Sequence, residues 1–238
     1  MHIFFSTEIS GDTCRLDPEE SWHCAKVLRL QAGDLVGVTD GRGHRFAARL
    51  TRVHPSACEA ATESMVAVPP KGWNNHIAIA PTKSADRFEW FLEKATEIGI
   101  GTITPLLCEH SERQTLKLPR LRKVLTSAMK QSMGAWLPEL EAPVSFRTFL
   151  ERGQPAARYI AHCETGSEDE LALLYPAGQD CLVLIGPEGD FSPEEVKLAL
   201  ERGFKPVSLG PNRLRTETAG LVACHTVELV NRWKPVRP

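Results

Sequence analysis

Two short stretches near the C-terminal end carry the residue types that could do chemistry. The first is Ile185 to Ser192, IGPEGDFS, which follows the apolar run Cys181 to Leu184. The second is Leu209 to Thr218, LGPNRLRTET, which follows Val207 and Ser208. Gly186 and Gly189 permit a positive φ or a close approach of the backbone to a ligand, and Pro187 stiffens the turn between them. By itself this G-x-x-G is as readily a well-made turn as a ligand cradle. In the second stretch Arg213 and Arg215 stand two residues apart just before Thr216, a plausible N-cap. Two guanidinium groups in one loop suit an anionic partner such as phosphate. Glu217 falls in the first turn of the following helix, where an acid also simply complements the helix dipole.

The elements that must position these loops are legible around them. Ser192 is an N-cap, Pro193 suits the first helical position, and Glu195 completes an S-x-x-E capping box. The helix they start runs through Val196, Leu198, Ala199 and Leu200 to Gly203. Each loop therefore sits between a strand pattern and a helix pattern, the usual place for a ligand in an open α/β sheet.

The motifs GPEGDFSPEE and LGPNRLRTETA resemble the signature of the ribosomal RNA small subunit methyltransferase E family, within the SPOUT superfamily. The resemblance extends in order through HCAKVLRL (His23 to Leu30), RFEWFLEKATEIG (Arg87 to Gly99), TPL (Thr104 to Leu106), AMKQS (Ala128 to Ser132) and LPEL (Leu137 to Leu140). It implies S-adenosylmethionine-dependent methylation of uridine N3 in small-subunit (16S) ribosomal RNA, free or in the assembled subunit. It implies a trefoil-knotted α/β domain, a PUA-like N-terminal β-barrel, and a homodimer whose active site draws on both chains. By resemblance Arg215 and Glu217 are catalytic. The cofactor would be held at His162, Leu184, Ile185, Gly186, Pro187, Glu188, Gly189, Leu209, Gly210, Asn212, Leu214, Thr216 and Thr218. Arg215 would stabilise the developing uracil anion, and Glu217 would orient it or accept a proton. Glu164 is a further candidate beside His162. Two departures stand out: Asp190 occupies a position where the family often has a third glycine, and Gly134-Ala135-Trp136 replaces a more basic stretch.

Along the rest of the 238 residues, 42% hydrophobic and 24% charged content is ordinary for a globular chain, and a net charge of −2 gives no global basic field. The seven cysteines, at 14, 24, 58, 108, 163, 181 and 224, form no C-x-x-C pair. With no signal-peptide pattern they read as reduced cytosolic thiols, which places the protein in the cytoplasm. Neither a zinc site nor an apolar run of the ~20 residues a membrane span needs is apparent.

Residues 1–68 are strand-like: His2 to Phe5, Leu35 to Thr39, Phe46 to Val53 and Ala57 to Ser64, punctuated by Ser10-Gly11-Asp12 and Asp40-Gly41. A small barrel is expected, with Gly41-Arg42-Gly43 as a β-turn. Pro18 to Leu30 predicts a short helix with His23, Lys26 and Arg29 at helical spacing. Together with Arg15, Arg42, Arg45, Arg49 and Arg52 it suggests a local positive excess that would grip RNA phosphates.

Val68-Pro69-Pro70-Lys71-Gly72 predicts a linker, and residues 72–238 a second domain. There His76 to Ala80 and Thr102 to Leu107 read as strands flanking a helix capped by Ser84, with Phe88, Phe91, Leu92, Ala95 and Ile98 on one face and Gly99 at its end. Another helix opens at Pro119, Ser145 to Arg152 and Ser167 to Tyr175 read as two more, and Tyr159 to His162 as a strand. Alternating strands and helices predict a mainly parallel sheet covered on both faces. Surface pairing is an adequate account of Lys94, and solvation of Lys130 and Gln131; the family resemblance makes these three RNA-binding candidates, as it does His23, Lys26, Arg29, Arg42 and Arg213. Two rivals are a non-catalytic RNA-binding protein of the same fold and a methyltransferase of that fold acting on another RNA. An unrelated nucleotide enzyme is disfavoured, because the chain has neither G-x-x-x-x-G-K-[ST] nor a strand-G-x-G-x-x-G-helix unit.

Overall fold

The computed structural model describes residues 1–162 and 169–233. The chain forms two compact units, one comprising Met1–Pro70 with Thr126–Leu137, the other Lys71–Leu125 with Pro138–Pro238.

In the first unit, β1 (Ile3–Phe5), β2 (Glu8–Ser10), β3 (Thr13–Arg15), β4 (Leu35–Thr39), β5 (His44–Arg52) and β6 (Glu59–Ala67) form one sheet in the order β1-β4-β5-β6-β3-β2. Its two edge strands, β1 and β2, are separated in the chain only by Ser6 and Thr7. From Phe5 to Glu8 the chain can span at most about 11 Å, so the sheet must curl to bring its edges near each other. The curl encloses Phe4, Leu16, Val36, Val38, Leu50 and three cysteines, Cys14, Cys24 and Cys58. β2 and β3 fall outside the sequence-based expectation: they are short polar strands flanking the Ser10-Gly11-Asp12 turn, without the apolar run that marks β1.

The Gly41-Arg42-Gly43 turn is built by Asp40, whose Oδ1 accepts from the N–H of Arg42 at 2.7 Å and of His44 at 3.1 Å. Gly41 and Gly43 adopt φ of 68° and 100°. Gly43 N–H donates to Ala135 O and Leu137 N–H to Gly41 O, so the segment Ala135–Leu137 is stitched to this turn through an isolated antiparallel bridge between Arg42 and Trp136.

The expected single helix at Pro18 to Leu30 is α1 (Pro18–Trp22) continued by a wide turn over His23–Val27, closed by Leu28 N–H to His23 O, an i→i+5 bond. Arg29 lies beyond it at φ 55°.

The second unit holds β7 (Asn75–Ile79), β8 (Thr102–Leu107), β9 (Glu139–Leu140), β10 (Val144–Ser145), β11 (Ala157–Ala161), β12 (Cys181–Ile185) and β13 (Lys205–Val207), all paired in parallel. Their order is β10-β8-β7-β12-β11-β13, with β9 also against β8. Helices α2 (Ala85–Ile98), α3 (Leu118–Gln131), α4 (Phe146–Leu150), α5 (Leu171–Leu174), α6 (Pro193–Glu201) and α7 (Thr216–Arg232) follow the strands. Ser167, expected to cap α5, lies outside the described residues. On one sheet face Ala78, Leu182 and Leu184 pack with Phe146, Phe149, Phe191 and Ala199. On the other, α7 packs against α2, β7 and β12.

That second face depends on Gly220. A Cβ there would meet Ile79 Cδ1 at 2.7 Å and the Phe91 ring at 2.8 Å, so no side chain fits between helix and sheet. Gly220→Val is expected to lower unfolding free energy by about 3 kcal/mol through overpacking, as read from a urea melt. Farther along α7, buried Glu228 receives Lys71 Nζ at 2.7 Å, which ties the end of the helix to the start of the unit.

His76 on β7 contacts Thr104 Oγ1 at 2.7 Å, and burial pushes its imidazole down to about 4. The unfolded chain takes up that proton near pH 6.5, so between pH 6.5 and 4 it binds more protons than the folded one and stability falls as pH falls. The loss expected is about 2 kcal/mol, discounted for a ring that is only partly removed from water. His76→Gln should flatten this part of the stability-versus-pH curve.

Candidate active site

At the C-terminal ends of β11, β12 and β13 the second unit opens into a cavity of about 660 Å³. Three strand ends supply its floor at Ala161, Ile185 and Val207, and the two glycine-proline loops its walls. Among the residues expected to hold a cofactor, it brings together His162, Ile185, Gly186, Pro187, Glu188, Leu209, Gly210, Asn212, Leu214 and Thr216. Arg213, expected on an RNA-facing surface, and Arg215 line the same cavity.

Four expected residues are not part of its lining. Leu184 is fully buried within β12. Gly189 is seated on His110, whose Cβ stands 3.2 Å from where a Gly189 Cβ would be. Thr218 is in the first turn of α7, and Glu217 is buried beside Arg87, with Oε1 3.9 Å from Arg87 Nε. Glu217 thus faces Arg87, where an orienting contact with Arg215 was expected. The N-cap of α7 is Arg215, extended at φ −72° and ψ 155°, and Thr216 is the first helical residue instead of the cap. The N–H groups of this first turn have no intrahelical acceptor, and the positive end of a 17-residue helix borders the cavity. Glu164, a weaker candidate, lies outside the described residues.

The first loop is a turn closed by Asp190 N–H to Pro187 O at 2.9 Å. Asp190 adopts φ 65°, the left-handed conformation a glycine would take without strain. Its Oδ1 accepts from Phe191 N–H at 2.8 Å, and the expected capping box follows, with Ser192 and Glu195 bonding reciprocally. The smallness of Gly186 has a packing cause: a Cβ would stand 3.1 Å from the Phe191 ring. Gly210 is required by its φ of 121°.

A brace with no local signature in the chain holds this loop from outside. Arg113 donates to the carbonyls of Thr82 and Lys83, Lys83 N–H donates to Glu188 Oε1 at 2.9 Å, and His110 Nδ1–H donates to Asp190 O at 3.0 Å. Arg87, Asp190, Ser208, Pro211 and Ala219 complete the cavity lining. Arg87 sits on α2, and the pairing of β7 with β12 together with the packing of α2 on α7 brings it to the loops.

Family models for an RNA methyltransferase domain and an RNA methyltransferase PUA domain match residues 69–228 and 16–63 respectively. Ribosomal RNA small subunit methyltransferase E of Synechocystis sp. is 33% identical over 225 residues, covering 91% of this chain and 73% of that protein. The chain belongs to the ribosomal RNA small subunit methyltransferase E family. Solved structures agree with this membership. A probable rRNA-methyltransferase from Porphyromonas gingivalis superposes with TM-score 0.87 at 42% identity, covering 97% of this chain and 98% of that one. The family member from Neisseria gonorrhoeae, bound to S-adenosyl methionine, superposes with TM-score 0.83 at 28% identity over 94% of this chain and 95% of its own.

Against this family background the RNA-binding candidates divide. In the first unit His23, Lys26, Arg29 and Arg42 are exposed, as is Gln131. Lys130 is committed to an ion pair with Glu20, a carboxyl that burial pushes up. The expected positive excess is not there. Arg15 pairs with Glu59 and Arg49 with Glu63, and across the unit acidic side chains outnumber basic ones. In the second unit Lys94 pairs with Glu93 at 2.7 Å and Glu97 at 2.9 Å, the ordinary surface arrangement. Among the described residues no cluster of His, Cys, Asp and Glu is gathered for a metal, and no helix is long and apolar enough to cross a membrane.

Proposed function

We propose that this protein transfers a methyl group from S-adenosylmethionine to N3 of a uridine in small-subunit ribosomal RNA. The observation that carries the reading is the convergence of both glycine-proline loops, two loop arginines and the start of α7 on one cavity at the strand ends. Its volume lies within the roughly 300–1,000 Å³ of small-molecule clefts. The wall chemistry fits the cofactor. Backbone around Ile185, Gly186, Leu209, Gly210 and Leu214 offers amide edges to an adenine and a methionine chain, with Leu184 buried behind them and Gly189 completing the turn of the first loop. The carboxylates of Glu188 and Asp190 suit cationic centres, and the α7 N-terminus with Thr216 and Thr218 suits a carboxylate.

When bound, S-adenosylmethionine supplies a sulfonium-activated methyl group. The chain's own task is to align the uracil ring and to favour loss of its weakly acidic N3 proton. Arg215 is the residue for that second task, since a guanidinium at the cavity wall stabilises the uracil anion as it forms. RNA would be gripped by His23, Lys26, Arg29 and Arg42 on a PUA-like domain over residues 1–68, the methyltransferase domain being residues 72–238. The return of the chain from edge strand β13 to the sheet centre at α7 supports a trefoil knot. A cytoplasmic homodimer whose active site draws on both chains completes the reading.

The test is transfer of labelled methyl from S-adenosylmethionine to small subunits lacking their native modification, followed by nucleoside analysis. Label in 3-methyluridine is the expected result. Label in another nucleoside would overturn the assignment of N3, and cofactor binding without transfer to small subunits would overturn that of the substrate.

A further inference from the structure

Glu217 is not accounted for by stability alone. Its side chain is 9% exposed, its Oε1 is 3.9 Å from Arg87 Nε, and its Oε2 is buried with no hydrogen-bond partner among the described residues. Burying a carboxylate strips it of hydration, and an ion pair at the outer limit of contact offsets little of that loss. The helix dipole would favour an exposed acid at this position just as well. Arg87, by contrast, has a side chain 46% exposed and lines the cavity. A guanidinium carries five donors in a planar fork, so the edge turned to Glu217 leaves others for a ligand.

We infer that Arg87 is a ligand-binding residue of this cavity, held in place by Glu217, and that it takes an oxyanion: the carboxylate of the cofactor or a phosphate of the RNA. The inference rests on the methyl-transfer reading. Charge matching favours it. The cavity wall carries three guanidinium groups, from Arg87, Arg213 and Arg215, and two carboxylates, from Glu188 and Asp190. The reactants bring a carboxylate, a phosphate and a forming uracil anion, against an ammonium and a sulfonium. With the uracil anion assigned to Arg215, the phosphate, and the carboxylate that the α7 N-terminus also suits, remain for Arg87 and Arg213. Arg87 differs from the loop arginines in standing on a long helix, with a buried carboxylate to fix its direction. Glu217 is then a positioning residue, which explains why it lies behind the lining.

Calorimetry with S-adenosylmethionine, and steady-state kcat and KM for the RNA, would be measured on wild type, Arg87→Ala, Arg87→Lys, Glu217→Gln and the Arg87→Ala/Glu217→Gln double variant. Arg87→Ala is expected to weaken binding by about tenfold or more, the loss of a charged hydrogen bond. The loss falls on the cofactor Kd if the oxyanion is its carboxylate and on the RNA KM if it is a phosphate. Arg87→Lys should recover part of it, with thermal midpoints unchanged. Glu217→Gln should weaken the same ligand and add nothing in the Arg87→Ala background. Unchanged Kd and KM in Arg87→Ala would overturn the proposal, as would a Glu217→Gln effect of equal size with and without Arg87. A wild-type protein that neither binds S-adenosylmethionine nor methylates RNA would overturn the reading of the cavity itself, before any variant is compared.

Discussion

Arg215→Ala is expected to lower kcat for methyl transfer by about 10²–10³, the usual consequence of deleting one charge-stabilising donor, while S-adenosylmethionine binding changes only a few-fold. The asymmetry follows from where Arg215 stands. It caps α7 through its extended backbone and makes no side-chain cap bond, so truncation leaves the helix start as it was. Its side chain is exposed on the cavity wall, so no packing is lost either. What disappears is a cation beside the position where the uracil ring becomes an anion. Two controls sharpen this expectation. Arg215→Lys keeps the charge but not the fork and should recover only part of the rate. Raising the pH should narrow the gap between Arg215→Ala and wild type, because solvent then removes the N3 proton that the arginine would have helped to release. Equal turnover of variant and wild type in single-turnover assays would take Arg215 out of the chemistry.

That Arg215 could be named from the sequence, and Arg87 could not, marks the boundary of what the chain discloses. Arg215 belongs to a local pattern of glycine, proline, paired arginines and a helix start, each of which acts within a few residues. The same locality made Ser192 and Glu195 legible as a capping box, Gly99 and Gly203 as helix stops, and β8 legible to its first and last residue. Arg87 reaches the cavity because β7 lies beside β12 and α2 packs on α7, and neighbours so far apart in sequence leave no periodicity to read. His110 under Gly189 and Lys83 against Glu188 went unseen for the same reason. In the first unit, the stitching of Ala135–Leu137 to the Gly41–Gly43 turn is another long-range pairing, which gives the unusual Gly134-Ala135-Trp136 stretch a structural role. Trp136 Nε1 also donates to Val68 O. Counting basic residues misled for a related reason: Arg15 and Arg49 are balanced by Glu59 and Glu63, acids that lie far from them in the chain.

Gly186→Val should abolish measurable S-adenosylmethionine binding, a loss of more than about 100-fold, by a route that starts in the core and not in the ligand. A Cβ at position 186 would stand 3.1 Å from Phe191 Cδ2 and 3.2 Å from the Phe191 backbone nitrogen. Backbone cannot yield as a flexible side chain does, so the branched residue must push the turn from Pro187 to Asp190 outward, toward the cavity it walls. Phe191 is itself packed against Phe146 at a ring separation of 5.4 Å, so retreat into the core is closed as well. Overpacking of this kind costs about 1–3 kcal/mol, which leaves a folded protein with a displaced loop as the expected product. Gly186→Ala isolates the first methyl group, and combining it with Phe191→Leu opens space on the core side. If displacement of the loop is the cause, the double variant binds S-adenosylmethionine more tightly than Gly186→Ala alone, although Phe191→Leu by itself lowers stability. If the methyl group instead blocks the ligand directly, the second substitution restores nothing, and the backbone at Gly186 is itself a contact surface for the cofactor.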